Sequence, residues 1–149
     1  MSVGEICNRD VVVCGADDTI HEAVKLMRDY HVGNVIVTEE RDQGAVPVGI
    51  LTDRDIVIEL FAEEVDSNSV TVADVMSRQL ISVRENDDIL ATIELMRDKG
   101  VRRVPVVNQQ GGLEGILAVD DLIELVAEQL TDLVRLFGRE LKHERSFRK

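Results

Sequence analysis

The phrase "GILTDRDI" (Gly49–Ile56) returns sixty-six residues later as "GILAVDDL" (Gly115–Leu122). In both copies a glycine opens a short apolar run, and acidic residues follow closely. An apolar run that changes abruptly to acidic residues is typical of a β-strand that leads into a helix. The chain is therefore predicted to build the same strand-to-helix junction twice.

The repetition reaches well beyond this phrase. When Ile20 is placed over Ile89, the segment "TIHEAVKLMRDYHVGNVIV" lies on "DILATIELMRDKGVRRVPV", and "LMRD" is identical in the two. The polar loop that follows, before "GIL", is three residues longer in the first copy. Self-similarity over this length predicts two halves of one design.

Each half is predicted to fold as β-α-β-β-α. Thr19 and Glu22 match a capping box at the start of the first helix, and Gly100 is placed to end the corresponding helix of the second half. The helices show the helical apolar period at Ile20, Val24 and Met27 and at Ile89, Ile93 and Met96. The strands are expected at 11–14, "NVIVT", "PVGILT", 80–83, "RVPVV" and "LEGILA".

The segment that joins the halves is polar at first and then contains a short amphipathic turn at Val72–Met76. The last helix is predicted to run from about Asp120 to beyond Leu141. It carries one apolar seam, at Val126, Leu130, Leu133, Phe137 and Leu141. Packing against the protein's own body and packing against a partner helix explain this seam equally well.

Charge argues against a nucleic-acid-binding protein. The 149 residues carry a formal net charge of −12, from 29 acids and 17 bases, although residues 135–149 hold six bases and two acids. The acidic body is expected to repel nucleic acid, and three Phe, one Tyr and no Trp offer few rings for base stacking. An acidic surface with few lysines also predicts a salt-rich cytoplasm.

Other classes of site find no support in the sequence. No apolar run approaches the roughly 18 residues of a membrane helix, and the N-terminus shows no secretory signal, so a cytoplasmic protein is expected. Cys7 and Cys14 fit neither a redox C-x-x-C motif nor a four-ligand zinc site. Without a catalytic motif, a phosphate-binding loop or metal-ligand spacing, the prediction is a protein that is not an enzyme and has no metal or cofactor.

Two tandem β-α-β-β-α units that each end in G-h-h-(T/S)-x-x-D, where h is apolar, resemble a pair of cystathionine-β-synthase (CBS) domains, a Bateman module. "VADVMSRQLISVRENDDIL" and "VRRVPVV" resemble further phrases of that family. The resemblance implies an α+β fold of two pseudo-symmetric halves packed sheet to sheet, with a long C-terminal helix. The expected parts are a first CBS motif at 6–63, a linker at 64–77, a second motif at 78–130 and a helical extension with a basic tail at 131–149.

The resemblance also implies a function. Two clefts between the halves are expected to bind an adenosine compound, such as AMP, ADP, ATP or S-adenosylmethionine, as a regulatory ligand. Modules of this family are usually non-catalytic, and they often associate as flat homodimers. A free-standing sensor of this kind is expected to regulate a partner protein in trans.

Thr52 and Asp55 suit such a ligand on chemical grounds alone. The Thr52 hydroxyl can bond a ribose or phosphate oxygen, the Asp55 carboxylate can accept both protons of a ribose diol, and Gly49 would let a ligand approach the backbone. The same pair would also make a good helix cap, and the two roles are compatible. The second copy keeps Asp121 but has Ala118 instead of the threonine, so the two clefts are expected to be unequal.

The family pattern adds further cleft positions to this pair. The expected lining residues, besides Thr52 and Asp55, are Val13, Asn34, Ile36, Ser82, Arg102, Arg103, Pro105 and Asp121. Arg102 and Arg103 resemble the basic pair that meets ligand phosphates in energy-sensing members of the family, whereas Arg54 and Arg78 are weaker candidates. Two alternative functions stay open: a ligand-free dimerisation scaffold, and a DNA-linked regulator that uses the tail at 135–149.

Overall fold

A computed structural model describes residues 1–148 as two compact units, one formed by Met1–Leu117 and one that begins at Ala118. The chain order is α1 (Val3–Ile6), β1 (Val13–Gly15), α2 (Ile20–Tyr30), β2 (Asn34–Arg41), β3 (Gly44–Thr52), α3 (Asp53–Ile56), α4 (Val72–Val75), β4 (Val83–Arg84), α5 (Ile89–Lys99), β5 (Arg103–Val107), β6 (Leu113–Ala118) and α6 (Val119–Phe147). A π-helical turn at Val57–Phe61 continues α3. The α+β class predicted from the sequence is confirmed.

Within residues 1–148 the strands form two three-stranded sheets, in the orders β1-β2-β3 and β4-β5-β6. β1 runs parallel to β2, which is antiparallel to β3, and Asn34 lies opposite Thr52 where β2 begins and β3 ends. β4 is likewise parallel to β5. Both halves therefore repeat one connection, in which a helix joins two parallel strands.

The apolar faces of the helices differ from the predicted period by one residue. Ile20 and Met27 are buried as expected, but Val24 is 38% exposed and Ala23 is buried instead. In α5, Ile89 and Met96 are buried as expected, but the buried residue between them is Thr92 and not Ile93. The Thr92 hydroxyl donates to the Asp88 carbonyl at 2.8 Å. Adjacent residues on a helix are about 100° apart, so a small residue next to the predicted position can occupy the centre of the buried face.

The short helix α4 packs on the half that it follows. The N–H groups of Val72 and Ala73 donate to the carbonyls of Asp18 and Ala16, at 2.8 and 2.9 Å. Val72 is fully buried and belongs to the core of the first half. The segment that leads into the second half is therefore a structural part of the first.

The first helix, α1, mirrors this arrangement. Val3 and Gly4 donate to the carbonyls of Asp87 and Glu85 in the second half, at 2.9 and 2.8 Å. Val3 and Gly4 correspond to Val72 and Ala73, and their acceptors correspond to Asp18 and Ala16. In every case the two residues are sixty-nine positions apart, the same offset that places Ile20 over Ile89. The segment that leads into each half therefore packs on the other half: α1 on the second and α4 on the first.

The second unit consists of α6 and the residues at its two ends. This helix has 29 residues and extends beyond Leu141, as the sequence predicted. The predicted seam residues are 58% (Val126), 61% (Leu130), 62% (Leu133), 65% (Phe137) and 44% (Leu141) exposed. Across residues 1–148, every helix is too short or too polar to cross a membrane.

Candidate functional site

Four of the predicted site residues lie near one end of the first sheet. Val13 begins β1 opposite Ile36, Asn34 begins β2, and Thr52 ends β3. Asp55 follows Thr52 in the only turn of α3. Because β1 and β2 begin where the antiparallel strand β3 ends, the structure brings these residues to the same end of the sheet.

Thr52 and Asp55 form a reciprocal cap at the start of α3. The Thr52 hydroxyl oxygen accepts a hydrogen bond from the Asp55 N–H at 3.1 Å, and Asp55 Oδ2 accepts one from the Thr52 N–H at 3.0 Å. Thr52 keeps the extended backbone of the strand, with φ −112° and ψ 160°, which turns its side chain toward the first helical N–H groups. The helix-cap role of this pair is confirmed.

The cap leaves hydrogen-bonding capacity on both side chains. A hydroxyl that accepts one bond still has its proton to donate, and a carboxylate has a second oxygen. Among residues 1–148, no acceptor takes the Thr52 proton and no donor reaches Asp55 Oδ1. Both residues are half-buried. The pair is therefore able to cap the helix and bind a ligand at the same time.

The second copy of the junction keeps half of this cap. Asp121 Oδ2 accepts a hydrogen bond from the Ala118 N–H at 2.9 Å, which corresponds to the bond between Asp55 and Thr52. Ala118 has no side-chain oxygen, so the return bond to the Asp121 N–H is missing. The two junctions thus differ by one hydroxyl group.

Gly49 does not open a path for a ligand, contrary to the expectation from the sequence. A Cβ atom on Gly49 would lie 2.6 Å from the Met76 sulfur and 3.0 Å from the Ser77 carbonyl oxygen. Ile50 and Ser77 exchange two backbone hydrogen bonds beside it, at 3.1 and 2.9 Å. The glycine is needed because the chain leaving α4 lies directly against β3.

A groove of about 480 Å³ opens beside Val13, lined by residues 10–13 together with Leu26 and Tyr30. Small-molecule sites are typically about 300–1,000 Å³, so a nucleoside fits this volume. Leu26 and Tyr30 were not predicted from the sequence. They lie four residues apart on α2, a spacing that places two side chains on one helix face, and Tyr30 is 63% exposed.

Two predicted wall residues lie in the core instead. Ile36 is fully buried and Pro105 is less than 2% exposed, so neither side chain faces a ligand in this structure. Both faces of their strands are covered by other parts of the protein. The sequence of a single strand does not show which segments cover it. Only the backbone at these two positions of β2 and β5 remains available for contact with a ligand.

Within residues 1–148, the remaining candidates of the second half are not among the residues that line the cavity described in that half. Ser82 is exposed just before β4, Arg102 is exposed, and Arg103 begins β5 half-buried. A cavity of about 430 Å³ in this half is lined by residues 84–87 and 107–110, at the opposite end of β5. Asp121 belongs to the second unit. Among residues 1–148, no three His, Cys, Asp or Glu side chains are grouped so that they could hold a metal ion.

Carboxylates dominate the charge around Thr52. Asp53 and Asp55 lie in the turn of α3, and Asp10 lines the groove beside Val13. Asp53 Oδ1 accepts the backbone N–H of Arg54 at 2.8 Å, while the Arg54 side chain is exposed. Because like charges repel, these carboxylates oppose the approach of an anion to this end of the sheet.

A model of the CBS domain family matches the chain twice, at residues 3–62 and 72–128. These two matches coincide with the two halves that each contain one three-stranded sheet. The chain therefore belongs to the CBS domain family, and it contains two CBS motifs in tandem.

Named relatives agree with this assignment. The chain is 36% identical over 121 residues to the CBS domain-containing protein YhcV of Bacillus subtilis, which covers 81% of this chain and 82% of that protein. It is 35% identical over 125 residues to an uncharacterized protein of Methanopyrus kandleri, covering 84% of this chain. The chain spans 62% of the length of the Methanopyrus protein.

Solved structures share the fold. The hexameric CBS-CP12 protein of bloom-forming cyanobacteria aligns with a TM-score of 0.71 and 29% identity, covering 83% of this chain and 69% of that one. The CBS domain pair of protein MJ0100, in complex with 5′-methylthioadenosine and S-adenosyl-L-methionine, aligns with a TM-score of 0.73 over 87% of this chain and 98% of that one. At 22% identity, the second likeness is one of fold.

Proposed function

We propose that this CBS pair is a regulatory, non-catalytic module of the cytoplasm that binds an adenosine compound at the Thr52–Asp55 junction and controls a partner protein in trans. One observation carries the proposal. The capping pair keeps a hydroxyl proton and the oxygen Oδ1 uncommitted within residues 1–148, at the edge where Asn34 and Val13 begin their strands. A ribose diol supplies the donors and acceptors that match these two groups.

The groove beside Val13 supplies a wall for the adenine. Its lining is mainly aliphatic, and Tyr30 adds an aromatic ring on which a base can stack. In this arrangement the ribose lies toward Thr52 and the base toward α2. The adenosine complexes of a protein with the same fold support the proposal at the level of the fold.

The carboxylates near Thr52 favour a ligand with few negative charges. Asp53 and Asp55 would repel a triphosphate, and the exposed Arg54 is the nearest base in sequence. We therefore expect S-adenosylmethionine or AMP to bind this junction more tightly than ATP. Arg102 and Arg103 remain the proposed phosphate contacts of the second half.

A thermal-shift screen at high salt tests the proposal, with AMP, ADP, ATP and S-adenosylmethionine as the probes. A ligand at about 100 times its dissociation constant adds about 2.7 kcal/mol to the free energy of unfolding, which raises the melting temperature measurably. If none of the four compounds raises it, the proposed ligand class is wrong.

Calorimetric titration of variants tests the site. Thr52→Ala is expected to weaken binding by roughly 3- to 10-fold, and Asp55→Ala by roughly 10- to 100-fold, because a charged acceptor contributes more than a neutral one. Thr19→Ala is the matched control, since Thr19 and Glu22 form the same kind of cap at the start of α2, at the opposite end of that helix from Tyr30. Asp121→Ala should affect only a weaker second site. If Asp55→Ala binds every compound as the parent does, the pair is a helix cap only.

Recovery of the ligand separates a sensor from an enzyme. The compound that binds is incubated with the protein overnight and then separated by chromatography. A regulatory module returns it unchanged, whereas a hydrolase releases a product in proportion to protein concentration. Product formation would contradict the non-catalytic part of the proposal.

We also propose that the chain forms a homodimer, as the family resemblance implies. The hexameric cyanobacterial relative shows that a CBS protein of this fold can self-associate. Light scattering at high salt should give about twice the chain mass of 16.6 kDa. A monomer at every concentration, with and without ligand, would contradict this part.

A further inference from the structure

An apolar surface runs along most of α6. Large apolar side chains recur at spacings of three or four residues, and each is between 44% and 65% exposed. We call this surface the α6 seam; its members are Ile123, Val126, Leu130, Leu133, Val134, Phe137 and Leu141. At about 100° per residue these positions fall within a sector about 100° wide, the width of the buried face of a packed helix.

The α6 seam calls for a covering helix. The second unit is a single helix, so nothing inside that unit covers the apolar side chains. Helices in water draw most of their stability from packing such a face, and little from intrinsic propensity. Spacings that alternate between three and four residues are those of helices that pair with other helices.

The charges of α6 indicate which helix covers it. Residues 119–134 carry five acids and no base, whereas residues 135–149 carry six bases and two acids. A second copy of α6 laid alongside in the same direction would place acids against acids and bases against bases. A second copy in the opposite direction places each acidic half against a basic half, which is favourable at both ends.

We propose that α6 pairs with α6 of a second copy in antiparallel orientation, centred between Leu133 and Val134. Leu130 then faces Phe137 of the second copy, Val126 faces Leu141 and Leu133 faces Val134, so six of the seven seam positions match across the two-fold axis. The inference rests on the proposed homodimer and adds the surface and the direction of pairing. An isologous contact of this kind closes at two subunits.

Substitution of two leucines tests the surface. Leu130 and Leu136 are 61% and 63% exposed, but they are about 120° apart around the helix and only Leu130 lies in the seam. Leu130→Glu should convert the dimer to a monomer in light scattering, whereas Leu136→Glu should leave it a dimer. Circular dichroism checks that both remain folded. A dimer that survives Leu130→Glu overturns the inference but leaves the homodimer standing, and a monomeric parent overturns both.

Disulfide trapping gives an independent measure of direction. Leu130→Cys and Phe137→Cys, mixed and then oxidised, should form a crosslinked dimer containing one copy of each variant. Either variant alone should not crosslink, because its two cysteines would be separated by about seven residues, or about 10 Å, along the axis. The parent, with Cys7 and Cys14, is the control. Crosslinking of each variant with itself would show a parallel pair and overturn the inference.

Discussion

Gly115 lies against the backbone of Asn8, so closely that a Cβ atom on Gly115 would stand 2.8 Å from the Asn8 carbonyl oxygen. Asn8 and Ile116 exchange two backbone hydrogen bonds of 2.9 Å at the same point. The repeated "GIL" phrase therefore marks where the strand of one half receives the leading segment of the other. The contact is the counterpart, in the second half, of the one between Gly49 and Ser77.

We expect Gly115→Ala to destabilise the protein by about 1–3 kcal/mol, because the added methyl group meets a backbone oxygen that cannot move aside cheaply. Gly49→Ala should cost less, since its closest neighbour is the flexible end of the Met76 side chain. Gly15→Ala is the control, because its Cβ atom would have only ordinary contacts, at 3.6 Å or more. Urea unfolding of the three variants gives the loss in free energy of unfolding for each, and we expect the loss to be largest for Gly115→Ala and smallest for Gly15→Ala. Equal stability of Gly115→Ala and Gly15→Ala would contradict the close approach.

The N-terminal segment should be as important to stability as a core element. Val3 is fully buried, although residues this close to a chain end are commonly frayed. Val3→Ala is expected to lower the free energy of unfolding by about 1–3 kcal/mol, while Met1→Ala, at a residue 65% exposed, should change it little. A Val3→Ala protein as stable as the parent would mean that α1 does not pack on the second half in solution.

Restoring the missing hydroxyl should strengthen the second junction. Ala118→Thr supplies an N-cap oxygen for the Asp121 N–H and should stabilise the start of α6 by about 0.5–2 kcal/mol. Ala118→Val is the matched control, since it has the same shape without the hydroxyl. Thr52→Val, which removes the corresponding hydroxyl at the first junction, should lower the free energy of unfolding by a similar amount. If Ala118→Thr is no more stable than Ala118→Val in chemical unfolding, the difference between the two junctions is not one of capping.

Because of Cys14, the free energy of unfolding is expected to fall as the pH rises in the alkaline range. Burial of its thiol, assisted by the nearby Asp18 carboxylate, raises its pKa from 9.0 to about 11. The folded state thus holds the proton more tightly than the unfolded state. The resulting stability is complete below pH 9.0 and is lost as pH rises toward about 11. Urea midpoints should fall more steeply over this range for the parent than for Cys14→Ala; parallel curves would argue against the buried thiol.

Salt should stabilise the protein. The chain holds 29 acids against 17 bases, and the salt bridges within residues 1–148 engage four of those acids, Glu39, Glu85, Asp98 and Glu114. Most carboxylates therefore repel one another without local compensation. The melting temperature should rise as potassium chloride is increased to about 1 M, where the screening length falls to about 3 Å. A flat or falling curve would remove the inference of a salt-rich cytoplasm.

Several features of the fold were predictable because they depend on neighbours along the chain. β5 and β6 occupy the predicted segments "RVPVV" and "LEGILA". Thr19 and Glu22 form the predicted capping box, and Gly100 ends α5 with φ 66°. The Thr52–Asp55 cap belongs to the same class, since residues three apart at a helix start meet whatever the rest of the chain does.

By itself, then, the sequence determined the repeated β-α-β-β-α order, the helix caps and the polar pair at the first junction. Only the tertiary structure decided that α1 packs on the second half and α4 on the first. It also decided that Gly49 and Gly115 lie against neighbouring backbone and leave no room for a ligand. Finally, it decided that Ile36 is buried, whereas Leu26 and Tyr30 line a groove. The physical reason is the range of the interactions. Caps and periodic faces arise within about one helical turn, whereas close approach and burial arise where segments distant in sequence meet.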